Sequence, residues 1–253
     1  MTEQTKAPSP AKSGHTGRRV VFIALMALFI TVAAVAAYQL ISTQAQYGQA
    51  QSEYQGLRQS FAPKPPSATD SHAGDDQPRV IDHAALALVN PDYIGWITIP
   101  GTVIDYPVVQ GQDNVRYLTT TFDQSANPSG AIFADYQCQD GFASQLCLLH
   151  GHNMKDGSMF AALNQFLDPA FEAQHSLVLG DTPDQGEQEY TVFATSLTSV
   201  NDSIYVSLAQ GEQASEAILA RHGAAPGGQV LALSTCTNSA DRDERLIVYA
   251  VKY

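Results

Sequence analysis

Three kinds of side chain in the C-terminal half of the sequence could together perform acyl transfer: a thiol, an imidazole and a guanidinium. Cys236 lies in LALSTCTNS, at the end of an apolar run where the chain turns polar. That is a place where a strand delivers a nucleophile to a mouth and not to a core. A thiol nucleophile needs thiolate character and a proton donor for the leaving group, most often histidine. Of the seven histidines, His15, His72, His175 and His222 have tail-like, stalk-like or surface-like surroundings. His150 and His152 instead end the apolar run LLHGHNM, where the glycine between them can expose a ring. Either ring alone could equally be an ordinary, partly buried, hydrogen-bonded side chain. A His-x-His pair could also begin a metal site, but no third Asp, Glu or Cys stands at a ligand spacing beside it, so neither metal nor cofactor is expected. Arg245 opens RLIVYAVKY after the charged loop DRDE. Its fixed-charge donor fork could steady an oxyanion or hold a substrate carbonyl. The plainer reading is a salt bridge to Asp241, Asp243 or Glu244, with Arg242 a bystander in the loop.

Strands must position these groups. The tract 93–110 (YIGWITIPGTVIDYPVVQ) is rich in β-branched and aromatic residues and broken by Pro100-Gly101, which predicts strand, turn, strand. Further strands fit 130–135, 146–150, 176–179, 189–195, 230–234 and 246–251. A short helix is expected over 82–89, stopped by Asn90-Pro91. Ser158 is a candidate cap for a helix MFAALNQFL that stops at Pro169, and a second helix spans 211–222 with Gly223 beyond it. Strands outnumber crossover helices, so a mainly β, α+β fold is expected: a mostly antiparallel barrel or sandwich with helices in the connections.

The chain has 253 residues and a formal charge of −12, which argues against nucleic acid as a partner. The charge is uneven. Four of the thirteen Lys/Arg (Lys6, Lys12, Arg18, Arg19) lie in the first nineteen positions, whereas from residue 81 onward six Lys/Arg face twenty Asp/Glu. Between these regions Val20 to Ile41 carries no charged residue, and a helix of that length is about 33 Å, enough to cross a bilayer core. The flanking arginines predict a cytoplasmic N-terminus and an extracellular body. The competing reading is a cleaved signal peptide processed near Ala33–Ala37. Tyr47, Ala50, Tyr54, Leu57 and Phe61 then recur at helical spacing, and 62–78 is a Pro/Ser/Asp-rich stalk. The expected organisation is a basic tail (1–19), a membrane anchor (20–41), a juxtamembrane helix and stalk (42–80) and a catalytic domain (81–253). Outside the cytoplasm thiols tend to oxidise. A disulfide between Cys138 and Cys147 is one reading and two half-buried free thiols the other, and pairing them leaves Cys236 alone.

Five blocks in order, NPDYIGWITIPGTVIDYPVVQGQDNVRYL, SGAIFADY, HGHNMKDGSMF, LSTC and RLIVYA, resemble the class B sortases of Gram-positive bacteria over some 160 residues. The resemblance implies an eight-stranded β-barrel and a membrane-anchored cysteine transpeptidase. Such an enzyme cuts a C-terminal sorting signal after its threonine, holds the protein as a thioacyl enzyme and passes it to an amine of a cell-wall precursor or a pilin. By position it makes Cys236 the nucleophile, His152 the general acid/base and Arg245 the oxyanion-stabilising residue. It places Asn114, Leu118 and Ser234 along the sorting-signal groove. His150 departs from the pattern, which usually has tyrosine there. The alternatives are a cysteine peptidase that hydrolyses similar signals and a non-catalytic peptide-binding protein of the same fold.

Overall fold

A computed structural model describes residues 15–63 and 79–253. The expected basic tail up to residue 14 and most of the stalk, 64–78 with His72, lie outside the described residues.

Two compact units divide the chain, one ending at Ala45 and the other running from Gln46 to Tyr253. A single helix, α1 (His15–Phe61), contributes to both. Its first part contains one stretch long and apolar enough to cross a membrane, with no part of that stretch buried. Its last part belongs to the folded body. Ala50, Tyr54 and Leu57 are buried in the core, and Tyr47 and Phe61 pack against it. These are the residues whose helical spacing marks one apolar stripe. The Tyr54 hydroxyl donates to Gly130 O at 2.7 Å, and Asn127 Nδ2 donates to Gln46 O at 2.9 Å. The compact unit that holds the barrel therefore includes this part of α1 from Gln46 onward. The two edges of the expected stalk are also tied down: Ala62 is fully buried, and Arg79 Nε donates to its carbonyl at 2.9 Å.

Eight strands close into one barrel: β1 (Tyr93–Thr98), β2 (Asp105–Val109), β3 (Ile132–Ala134), β4 (Leu146–His150), β5 (Leu177–Thr182), β6 (Gly186–Ser199), β7 (Gln229–Cys236) and β8 (Glu244–Lys252). Around the barrel the order is β1-β2-β3-β4-β7-β8-β6-β5, and β5 closes onto β1. The β2–β3 and β4–β7 pairs are parallel and the others antiparallel. Closure removes sheet edges and buries the inward faces of β-branched runs such as LIVYAV in β8.

The helices lie in the connections. Helix α2 (His83–Val89) is capped by Asp82, whose carboxylate accepts from Ala85 N at 2.9 Å. Helix α4 (Ile204–Ser207) and helix α5 (Glu212–Arg221) fill the crossover between β6 and β7. One expectation fails. MFAALNQFL is not a Ser158-capped α-helix: a 3-10 helix spans Ala161–Leu167, and the Ser158 hydroxyl donates to Asp156 at 2.6 Å instead. Pro169 does not stop a helix but begins α3 (Pro169–Gln174), capped by Asp168. Proline suits a first helical position because no amide hydrogen is needed there.

Candidate active site

The ends of β4, β7 and β8 lie side by side, and the three candidate catalytic residues come from them. Cys236 is the last residue of β7, and its register partner across the antiparallel ladder is Arg245, the second residue of β8. Directly opposed residues present their side chains on the same face of a sheet. On the other flank β4 runs parallel to β7, with His150 paired to Ser234. Past the end of the ladder the contact continues, as Gly151 N donates to Ser234 O (3.2 Å) and Thr235 Oγ1 donates to Gly151 O (2.8 Å). Asn153 Nδ2 then donates to Cys236 O at 2.9 Å, so the His150–Asn153 turn is fastened to the strand bearing the thiol. Gly151 is required in that turn, since a Cβ there would come within 2.6 Å of Ile132 and 2.7 Å of Phe160.

Cys236, His152 and Arg245 line one cavity of about 290 Å³ together with Asn114, Leu118 and Ser234, so all six site residues expected from the sequence share a wall. A larger cavity of about 370 Å³ beside Arg58 and Arg79 contains neither a thiol nor an imidazole in its lining. Cys236 is exposed, whereas Cys138 and Cys147 are buried. His152 Nε2 donates to the Leu118 carbonyl at 2.7 Å; a carbonyl only accepts, so this nitrogen carries the hydrogen and Nδ1 is left for chemistry. Arg245 makes no salt bridge among the described residues. Its Nη1 donates to the carbonyls of Arg242 (2.8 Å) and Glu244 (2.9 Å), and the Glu244 carboxylate is taken by the Thr237 hydroxyl at 2.6 Å. The guanidinium is thus held by neutral acceptors, with its charge left for a ligand.

Below this rim lies a layer that residue types alone did not disclose. Asp135, one residue past β3, is buried and accepts from Asn114 Nδ2 (2.7 Å), His150 Nε2 (3.1 Å) and Gln137 N (3.0 Å). Burial pushes this carboxyl up, but the hydrogen bonds from His150, the Gln137 amide and Asn114 outweigh it, and the group lies below the usual carboxylate range. Asn114 is thereby occupied at both ends, since its Oδ1 accepts from Tyr136 N at 3.1 Å. Tyr205 of α4 hydrogen-bonds Ser234 Oγ at 2.8 Å. Burial raises its hydroxyl above the ordinary range, so it stays a phenol. An acidic residue after a strand and a tyrosine in a crossover are too common for either role to be read from the sequence.

Of the two readings of Cys138 and Cys147, the structure has the second: both are free thiols, and both are buried. Cys138 Sγ accepts from Leu148 N at 3.3 Å. The neighbouring Cys138 thiol, together with burial, pushes the Cys147 thiol well above its ordinary range. Sequence spacing anticipates neighbours but not their oxidation state. Among the described residues no cluster of three or more His, Cys, Asp or Glu could hold a metal ion.

The chain belongs to the sortase family, whose domain matches residues 97–253, and its relatives are class B members. It is 43% identical over 90 residues to sortase B of Listeria monocytogenes, a match that spans 36% of this chain and only 37% of that relative. To sortase B of Staphylococcus aureus it is 24% identical over 235 residues, spanning 89% of this chain and 93% of the relative. The crystal structure of sortase B from Bacillus anthracis superposes with a TM-score of 0.65 at 25% identity, covering 82% of this chain and 97% of that one.

Proposed function

We infer that this chain is a membrane-anchored cysteine transpeptidase that joins proteins bearing a C-terminal sorting signal to an amine. Cys236 attacks the carbonyl of the signal's threonine, and Arg245 donates to the oxygen that becomes negative. His152 protonates the departing amine and later takes a proton from the incoming one. The peptide bond breaks, a thioester to Cys236 forms, and the acceptor amine releases it as a new amide. The observation that carries this reading is the Cys236–Arg245 register pair, with His152 lining the same cavity. Asn114, Leu118 and Ser234 contact the signal, and the acceptor is an amine of a cell-wall precursor or of a pilin. The N-terminus lies in the cytoplasm, residues 20–41 anchor the chain, and the body works outside. The placement of Arg18 and Arg19 before the apolar stretch, with no further basic residue until Arg58, supports that orientation.

The test is to incubate the protein with a threonine-containing sorting-signal peptide and read intact and peptide masses. An acyl adduct on Cys236, converted to an amide only when an oligoglycine or diaminopimelate-type amine is present, is the expected outcome. Release of free acid at the same rate with and without amine would make the protein a hydrolase. Binding with no adduct would make it a receptor.

A further inference from the structure

His152 is half-buried, so hydrogen bonds more than packing set where its ring stands. Two of them bracket it. Its Nε2 donates to the Leu118 carbonyl, and its own carbonyl accepts from Phe160 N at 2.9 Å. One partner opens the segment 118–130 and the other ends the segment 152–160, and neither segment contains a strand. Both segments are held by the same stretch of α1. On the first, the Tyr54 hydroxyl donates to Gly130 O and accepts from Phe122 N at 3.3 Å, and Glu53 accepts from Asp123 N at 2.9 Å. Gly130 lies so close to the Leu118 carbonyl that a Cβ there would come within 2.9 Å of its oxygen. On the second, Gln51 Nε2 donates to Asp156 Oδ2 at 3.0 Å, and Asp156 Oδ1 accepts from Ser158 N at 3.0 Å. Met159 N donates to the Tyr106 hydroxyl at 3.0 Å, and the Tyr106 ring meets that of Tyr54 edge-on at 5.3 Å. Met159 has a φ of 55°, a left-handed conformation that a non-glycine residue keeps only where its surroundings enforce it.

We propose that Gln51 and Tyr54 of α1 are positioning residues for His152: the helix braces the two segments whose backbone holds the ring. The C-terminal part of α1 thereby serves proton transfer, although neither residue touches the reacting atoms. A ring displaced by a fraction of an ångström leaves peptide binding intact but protonates the departing amine less effectively.

This proposal rests on the transpeptidase reading, and the experiment separates the two. The full chain in detergent is given two sorting-signal peptides, one with the ordinary amide after the threonine and one with a thioester in its place. Attack by Cys236 on the amide expels an amine, which needs a proton, whereas the thioester expels a thiolate, which needs none. Single-turnover acylation of Cys236 is followed by mass across a range of peptide concentrations. Tyr54→Phe keeps the ring and removes the hydroxyl, and Gln51→Glu sets a carboxylate against Asp156. Each should slow amide acylation about tenfold at saturation, with the half-saturating concentration and the thioester rate within about twofold of wild type. Asp156→Asn in the Gln51→Glu background restores a donor between the two side chains and should restore the amide rate. A merely structural role would lower both substrates alike, by lowering the folded fraction. Gln51 is exposed, so its variants give the answer even where Tyr54→Phe does not fold. Equal losses on amide and thioester, an unchanged amide rate in the single variants, or no rescue by Asp156→Asn overturns the proposal. Failure of the wild type to acylate Cys236 with the amide peptide overturns the transpeptidase reading, and this proposal with it.

Discussion

On the β1–β2–β5 side of the barrel, Arg79 and His83 each face a carboxylate. Arg79 Nη1 lies 2.6 Å from Asp105, which also accepts from Trp96 Nε1 at 2.8 Å, and His83 Nε2 lies 3.2 Å from Asp181 while its Nδ1 meets the Tyr93 hydroxyl at 2.8 Å. On the β4–β7–β8 side, Arg245 and His152 face only backbone carbonyls. The first cluster neutralises its own charge and ties the N-terminal edge of the body to the barrel. The second keeps a guanidinium and an imidazole without carboxylate partners at the mouth that holds the thiol. One region uses its ionisable groups for cohesion; in the mechanism proposed above, the other leaves them for a substrate whose charge appears only during reaction. His150 lines the same cavity as the thiol but meets a carboxylate, with its Nε2 3.1 Å from Asp135.

Replacing Cys236 by alanine should break the contrast most completely. Turnover should fall below detection, while the thermal midpoint stays within about 2 °C, since the residue is exposed. Peptide cleavage and a thermal melt on one preparation check both halves. His152→Ala should follow, with a loss of about 10²–10⁴ in kcat for a reference peptide, far more than His150→Ala, as expected for a proton-transfer group against a groove residue. The opposite ranking would exchange their roles. Arg245→Ala should lose about 10²–10³ in kcat at nearly constant stability. Arg79→Ala should do the reverse, costing on the order of 3 kcal/mol in a urea melt with kcat of the remaining folded protein unchanged, because it strands Asp105 without its cation. If both arginine variants lose stability and neither loses rate, the two regions do not differ as described.

The smallest effect concerns pH. Asp135 titrates below the usual carboxylate range, so its contribution to stability is complete above the unfolded-state value and is lost as pH falls through the depressed folded-state value. In that window the unfolded chain binds more protons than the folded one, and stability rises with pH. Asp135→Asn should remove that part of the acid-side slope in urea melts taken at a series of pH values. An unaltered slope would mean that the pairing with His150 and Asn114 does not persist in solution.

Much of this architecture is legible without coordinates. Runs such as LCLLH and RLIVYA are β-branched or apolar over strand-length stretches, a local property, and the stretch without charge at 20–41 is long enough to read as a span. The stripe Tyr47–Ala50–Tyr54–Leu57–Phe61 announces a helix with a covered face, but not that the face lies on the barrel. Helix type at 161–167 and the role of Pro169 were misread because capping and turn geometry there depend on where Asp156 and Asp168 sit in space.

By itself the amino-acid sequence determined which segments become strands, that a thiol ends one of them, and that two imidazoles and an arginine stand at the ends of others, because strand formation and polarity follow from neighbouring residues. Only the tertiary structure decided that β4 lies parallel to β7, that Cys236 faces Arg245 across a ladder, and that a buried aspartate orients His150. Those relations depend on register and barrel closure, which are properties of the whole closed sheet and leave no signature in any one stretch of chain.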